Sequence, residues 1–411
     1  MRTRQLLISF LALMCSTYLH AQVFDDYFTD NTLRIDYIFA GDRNQQNIYV
    51  DQLSKTKGWF GRRKRLNQLP LEGNGQITVT DSLTGKVIYR HSFSTLFQEW
   101  ISTEESKNTP KSFENVFLVP FPQRTAIVRV DLFDYHQNVS SSLTHVVDPS
   151  DILIRCLPLT SNKCITLQQA SDTTNCIKIA YVAEGYTKNQ MNSFLEDAKI
   201  ATEALFEHEP FKTMRGVFNI VCVESESKEE GTSIPHDNKW KDTVLGSHFD
   251  TFYSQRYLTT LHLKRLHDAL SGIPYEHIIV LVNTSQYGGG GIYNSYNLSS
   301  TKHKHFRPVV VHEFGHSFGG LADEYEYTDS DPMYFSDTEP WEPNITTKHN
   351  FGLKWQNLID EGKAGLVEGG GYQTKGVWRG LPDCRMRTNE HKDFCPVCQQ
   401  ALQRLIDFYV K

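Results

Sequence analysis

A short run of residues beginning at position 312 constrains this chain more than any other stretch of its sequence. His312 and His316 are four residues apart, and Glu313 directly follows the first of them. Residues four apart on an α-helix are neighbours on one face, so a helix through this run presents both imidazoles to the same point. The run therefore predicts a helix that carries two metal ligands.

The same residues suit a zinc site. A catalytic Zn²⁺ has three protein ligands and an open position for water, whose pKa the ion lowers to about 7. The carboxylate of Glu313 would lie beside His312 and His316, where it can take a proton from that water as a general base and hand it to a leaving amine. The alternative is that both histidines are ordinary surface residues, and the sequence that follows argues against it.

That sequence offers a third ligand. Gly319 and Gly320 can end the helix and permit positive φ, so the chain can turn back towards the histidines. Asp323 and Glu324 follow within a few residues of this turn. We favour Asp323 as the third metal ligand and expect Glu324 to cap or orient a ligand.

The N-terminus has the pattern of a secretory signal. Residues 1–4 include two arginines, residues 6–14 are apolar, and Ala21 is a small residue before a cleavage point, so we expect residues 1–21 to be a signal peptide. A lipid anchor on Cys15 is the alternative. The apolar run is too short to span a bilayer, and a net charge of -6 gives no reason to expect a nucleic-acid partner. We therefore expect an exported protein (secreted, periplasmic or at the cell surface) without a transmembrane segment.

Residues 22–150 have the spacing of a β domain. The segment 33–39 alternates with period two, and segments 76–80 and 87–89 flank a turn as in a hairpin. Residues 125–133 form another predicted strand. Several short strands at regular spacing predict an N-terminal β-sandwich.

The pattern changes after a polar segment at residues 151–176, which we expect to be a linker. Strands are predicted at 177–183, 218–223 and 277–283, with a helix over 192–206. Strands that alternate with helices predict an α/β domain, here residues 177–411, around a mixed or mostly parallel sheet. The expected fold class is therefore α+β and multidomain.

The run from His312 to Tyr325 resembles the signature of the IgA-peptidase family of zinc metallopeptidases, which lies close to the metzincins. The resemblance implies a metzincin-like catalytic domain after an accessory N-terminal β domain, with one catalytic Zn²⁺. It also implies a methionine turn beneath the metal, which Met386 fits. Further segments that look like family landmarks are residues 183–186, Asn283 with 287–291, and 394–398.

Two departures from the metzincin pattern bear on the site. The third metzincin ligand falls at the position of Ala322, which cannot bind metal, so Asp323 has to be reached by a slightly longer turn. No tyrosine closely follows Met386, which leaves Tyr325, Arg385 or a backbone group to stabilise the oxyanion.

The C-terminal cysteines allow two interpretations. Three cysteines and a histidine could form a structural zinc site, but in an exported chain we expect a disulfide between two of the cysteines instead. The residues concerned are Cys384, His391, Cys395 and Cys398.

Two other features have less specific meanings. The glycine-rich residues 287–293 are either the rim of a cleft, where a substrate backbone can pair with the chain, or a flexible loop. His236 and His248 are isolated histidines. We expect both to be surface or core groups rather than metal ligands.

Together these features predict an exported zinc-dependent endopeptidase that acts on proteins or glycoproteins, and the family name suggests immunoglobulin A as a substrate. An alternative of a different class is a cell-surface module that binds a glycan or protein, with an inactive or secondary metal domain. A third hypothesis keeps the fold and metal but cleaves amide bonds of cell-wall peptide. The presence of Glu313 favours an enzyme, because a degenerate peptidase would be expected to have lost that base. The sequence leaves the oligomeric state open.

Overall fold

The computed structural model of this chain describes residues 23–328 and 332–411. The predicted signal peptide at 1–21 and Cys15 lie outside the described residues. The fold is mixed α+β with several sheets, and the N-terminal part is built almost entirely of β-strands. Within the described ranges, no helix is long and apolar enough to cross a bilayer.

The N-terminal strands form two four-stranded sheets with the orders β5-β1-β2-β8 and β4-β3-β6-β7. The predicted hairpin is present, because β3 and β4 pair antiparallel with Val79 opposite Tyr89. The side chains of the two sheets meet in one core, where the rings of Phe39 and Phe93 lie 6.4 Å apart. The elements are β1 (Phe28–Gly41), β2 (Gln46–Lys57), β3 (Gly75–Asp81), β4 (Val87–Phe93), α1 (Leu96–Trp100), β5 (Lys111–Pro122), β6 (Ala126–Phe133), β7 (Val139–Val147) and β8 (Arg155–Cys156).

A six-stranded sheet with the order β13-β14-β12-β10-β11-β9 forms the centre of the second half. Its four inner strands run parallel and both edge strands are antiparallel, as the prediction of a mixed sheet requires. Every residue of β10 and β12 is buried, which is typical of parallel strands covered on both faces. The elements are β9 (Lys163–Gln168), β10 (Ile177–Glu184), α2 (Met191–Phe206), β11 (Phe218–Glu224), α3 (Leu263–Ala269), β12 (His277–Val282), β13 (Gly289–Ile292), β14 (Tyr296–Ser300) and α4 (Phe306–Ser317).

The segment expected to be a linker contains regular structure. β8 pairs with β2 in an N-terminal sheet, and β9 pairs antiparallel with β11 at the edge of the six-stranded sheet. Residues 151–176 therefore connect the two halves while taking part in a sheet of each. Short elements complete the chain: β15 (Ile345–Thr346), α5 (Gln356–Asp360), β16 (Val367–Gly370), β17 (Gln373–Arg379) and α6 (Pro396–Val410).

The two faces of the central sheet belong to different cores. Ile179 and Tyr181 pack with α2, α4 and α6, whereas Ala180 and Val182 belong to a core that continues into the N-terminal sheets. This division follows from the period of two along a strand. The N-terminal part thus covers one face of the sheet that supports α4, and it is joined to the second half by apolar packing.

Candidate active site

The helix α4 carries both predicted histidines on one face. It lies against β13 and β14 and against α2, so its position is fixed by the central sheet. The helix ends as expected: Gly320 has a φ of 58°, and its N–H donates to the carbonyl of His316 at 3.0 Å. The chain then turns back across the histidine face.

Asp323 meets the two histidines directly after this turn. Its Oδ1 lies 3.0 Å from Nε2 of His312 and 3.2 Å from Nε2 of His316, and the two Nε2 atoms are 3.1 Å apart. Tetrahedral ligands at about 2.0–2.1 Å from a zinc ion are ~3.3 Å from each other. Asp323 Oδ1 is also buried without a hydrogen-bond donor among the described residues. The three atoms therefore fit a divalent metal ion.

The orientation of both imidazoles is fixed by the protein backbone. Nδ1 of His312 donates to the carbonyl of Arg385 at 3.0 Å, and Nδ1 of His316 donates to the carbonyl of Leu321 at 2.6 Å. Because Nδ1 carries the proton in each case, Nε2 has its lone pair free for a metal. The two backbone carbonyls thus prepare both rings as ligands.

The charges of this cluster are strongly coupled. Burial disfavours ionisation of Asp323, but its interactions with His316 and His312 outweigh burial and hold the pKa of Asp323 well below its usual range. Burial also disfavours a charged His316, yet the Asp323 carboxylate raises the pKa of His316 to about 9. The site therefore stabilises positive charge, and a metal ion competes with a proton for Nε2 of His316.

The segment around Asp323 is held by residues that are distant in the sequence. Asn344 is fully buried, and its side chain bonds both the N–H and the carbonyl of Ala322 at 2.8 and 2.9 Å. The hydroxyl of Tyr372 donates to Asp323 Oδ2, and the N–H of Gly371 donates to the carbonyl of Asp323 at 2.8 Å. These contacts turn Asp323 towards the histidines.

Glu324 points the other way. Its Oε1 accepts from Asn344 at 3.0 Å and from the thiol of Cys398 at 3.1 Å. Burial, with a contribution from Cys395, raises the pKa of Glu324 to about 8. Of the two candidates for third ligand, the structure brings Asp323 to the histidine pair and places Glu324 among cysteines.

Glu313 lies beside the histidines against the glycine-rich strand β13. It is buried, and a Cβ on Gly289 would come within 2.4 Å of its Oε1. Burial raises the pKa of Glu313, although His312 and His316 oppose this shift. The glycine run is therefore an ordered strand that allows the carboxylate to approach the backbone closely.

Met386 packs against α4 at Gly315, which lies between the two histidines in the sequence. A Cβ on Gly315 would be 2.6 Å from its Sδ, and its carbonyl accepts from the N–H of Glu324 at 2.8 Å. Arg385 is turned away, because its guanidinium donates to His208 Nε2 at 3.1 Å and to the carbonyl of Asn389 at 2.9 Å.

A cleft runs past this site, and both halves of the chain line it. Asn74, Ser94 and Glu99 contribute from the N-terminal part, opposite Tyr325 and Tyr372. The carboxylate of Glu99 accepts from the hydroxyl of Tyr257. Burial, and to a smaller extent the carboxylates of Asp323 and Glu313, raise the pKa of Glu99 to about 7.

Comparison with known protein families gave two matches. A family model described as IgA Peptidase M64 matches residues 165–365, and one described as Peptidase M64 N-terminus matches residues 23–144. The chain belongs to the M64 peptidase family. A search of curated proteins gave no match. The M64 match contains Glu313 and Asp323, and it ends before Tyr372, Met386 and the C-terminal cysteines, which the fold brings to the same region.

Other residues singled out in the sequence lie elsewhere. Nδ1 of His236 is 2.8 Å from the carboxylate of Asp250, and Nδ1 of His248 donates to the carbonyl of Phe249. Neither lines the cleft. The landmark Glu184 accepts from the N–H groups of Leu245 and Ser247, both at 2.9 Å, and so fixes a loop.

Three residues at the M64 site were not found from the sequence: Asn344, Tyr372 and Glu99. The glycines at 369–371 before Tyr372 were the one available signal, since such a run permits close approach of a loop. Tyr372 itself has a φ of 66°, which is strained for a bulky residue. Asn344 and Glu99 have no local signal at all.

Proposed function

We propose that this chain is an exported zinc-dependent endopeptidase that hydrolyses peptide bonds of proteins or glycoproteins. The observation that carries the proposal is the convergence of His312, His316 and Asp323, with Glu313 beside them. The proposal includes a metzincin-like catalytic domain at 177–411, a β-sandwich at 22–150 and a signal peptide at 1–21. M64 membership supports the peptidase class.

The residues divide the chemistry as follows. His312, His316 and Asp323 would hold a Zn²⁺, which would supply Lewis-acid polarisation of the scissile carbonyl and would lower the pKa of water. Glu313 accepts the proton of the attacking water and then donates it to the leaving amine. Its burial limits competition from bulk solvent for that proton. Tyr325 lines the cleft and Arg385 does not, so we assign stabilisation of the developing oxyanion to Tyr325.

The edge strand β13 offers a place for an extended substrate. Beyond its ladder with β14, Gly289 bonds the backbone of Arg256 and Leu258. Gly291 faces the same side of the strand, and its peptide groups can pair with a substrate backbone. This arrangement favours hydrolysis of an unfolded or extended segment. Immunoglobulin A enters only through the family description, and we treat it as a substrate to be tested.

The proposal can be tested with purified protein in casein and immunoglobulin A cleavage assays. Wild type should cleave at least one of them, lose activity to a chelator and regain it with zinc. Glu313→Ala should keep its metal and lose nearly all activity, whereas Asp323→Ala should also lose metal affinity. His236→Ala is the matched control and should behave as wild type. Cleavage that persists in Glu313→Ala, or in metal-depleted wild type, would contradict the proposal.

A further inference from the structure

A second group of ligand atoms lies behind the first. The side chains of Glu324, Cys384, Cys395 and Cys398 each offer one donor atom, and these atoms all lie within 4.8 Å of one another. We propose that they form a second, structural zinc site. The sulfurs of Cys384 and Cys398 are 3.7 Å apart, and a tetrahedral zinc with bonds of about 2.3 Å would separate its sulfurs by ~3.8 Å.

These groups are buried, and a bound cation would offset the cost of burying a charged carboxylate. All four residues are at most 2% exposed. Glu324 Oε2 is buried and has no hydrogen-bond partner among the described residues. A buried carboxylate is costly unless it is paired with a positive group or bound to a metal. The positive group of Arg379, which interacts electrostatically with Glu324, donates instead to the carbonyl of Gly369 at 2.6 Å and lies 3.6 Å from Glu326.

Backbone groups at the start of α6 direct positive partial charge at the cluster. The N–H of Cys395 donates to Cys384 Sγ at 3.1 Å. Cys395 is the N-cap residue of α6, and the positive end of a helix lowers the energy of a nearby thiolate. The side chain of Asn344 donates to Glu324 Oε1 and so orients that carboxylate. Such outer contacts are what holds metal ligands in place.

The structure shows neither of the two arrangements that the sequence allowed. None of the seven cysteines between residues 23 and 411 is in a disulfide, and a bond between any two of the cluster would still leave Glu324 Oε2 without a partner. His391 is not in the group, and its Nδ1 donates to the carbonyl of Asp393. Glu324 takes the place that was assigned to the histidine.

Three thiolates and a carboxylate make a closed, dry set of four protein donors, and the lack of an open position distinguishes structural from catalytic zinc. The site would join the segment that carries Asp323 to the turn that carries Met386, because Glu324 directly follows Asp323 and Cys384 precedes Met386 by two positions. Its existence does not depend on the proposed peptidase activity. It adds a reason why Asp323 is held towards the histidines.

Metal analysis of the purified protein tests this site. Wild type should contain two zinc ions per chain, and X-ray absorption should show sulfur ligands at about 2.3 Å. The double variant His312→Ala/His316→Ala should keep one zinc, now in an environment dominated by sulfur. Cobalt exchanged into that variant should give thiolate charge-transfer absorption. Cys398→Ser should lose this signal, and Cys222→Ser, which changes another buried cysteine, should keep it.

Several results would overturn the site. One is a single zinc ion without sulfur ligands in wild type. Another is a folded double histidine variant that contains no metal. A third is a disulfide within the cluster, detected in non-reducing peptide maps. If Cys398→Ser does not fold, the absorption spectrum of wild type still decides. Two zinc ions without any proteolysis would contradict the proposed function alone, and proteolysis with one sulfur-free zinc would contradict this site alone.

Discussion

At the scale of single residues, the site depends on groups that orient the ligands. The hydroxyl of Tyr372 donates to Asp323 Oδ2. Among the described residues, Tyr372 has no hydrogen bond to either histidine. Tyr372→Phe should weaken binding of the catalytic metal about 10- to 100-fold, as is usual when an outer partner of a ligand is removed. The zinc concentration that restores half of the activity of metal-depleted enzyme measures this. Tyr334→Phe removes a similar bond, to Glu342, and should have no such effect. If Tyr372→Phe and wild type need the same zinc concentration, Tyr372 has no role in holding the metal ligand.

The protonation of Glu313 sets a second expectation for a single residue. A general base must be ionised, so kcat/KM should fall as pH falls through the pKa of this carboxyl. Burial raises that pKa, and the acid limb should therefore lie above the ordinary value of 4.5. Glu313→Gln should lose about 10²- to 10⁴-fold in kcat while keeping its zinc. An unchanged acid limb in the residual activity of Glu313→Gln would assign the limb to another group.

At the scale of secondary-structure elements, the close packing of β13 on α4 is a testable feature. Gly289→Ala would place a Cβ 2.4 Å from Glu313 Oε1, so the carboxylate has to move. We expect kcat to fall at least about tenfold, because small displacements of a catalytic group have large effects. Zinc content should remain. Gly352→Ala is the matched control, since no atom lies within 4 Å of its added Cβ. Similar kcat in both variants would show that Glu313 tolerates the crowding.

The elements also explain what the sequence can and cannot predict. The strands β3, β10 and β12, the helix α2 and the histidine pair of α4 follow from local periodicity, and each is present as predicted. The choice of Asp323 over Glu324 is made by contacts from Asn344 and Tyr372. These contacts join Asn344 and Tyr372 to residues 22 and 49 positions earlier in the chain, so no local pattern encodes them. The expected disulfide between two of the C-terminal cysteines is absent among the described residues, and the approach of Glu324 to these cysteines has no local signal because it occurs only in the folded chain.

At the scale of the whole molecule, the N-terminal part is a structural component of the cleft. Asn74 accepts from the indole of Trp341 at 2.7 Å, and the N–H of Ser94 donates to the carbonyl of Tyr293 at 3.0 Å. Arg34 of β1 bonds Asp268 of α3 at 2.5 Å. Together with the shared apolar core, these contacts join the two halves around the site. A change of charge in the N-terminal part should therefore alter the free energy of unfolding of the complete chain.

Glu99 allows this coupling to be measured. Its pKa is about 7 in the folded protein, against an ordinary value of 4.5. The folded state thus holds this proton more tightly than the unfolded state, and the associated stability is complete below pH 4.5 and is lost as pH rises through 7. Glu99→Gln should remove this dependence. The free energy of unfolding of Glu99→Gln should therefore rise relative to that of wild type as pH increases from 4.5 to 7.

Thermal or denaturant unfolding at several pH values measures the difference. The exposed residue Glu196 supplies the control, because Glu196→Gln should leave the pH dependence of wild type unchanged. Parallel curves for Glu99→Gln and wild type would show that the Glu99 carboxyl, at the boundary of the two halves, does not couple its proton to folding.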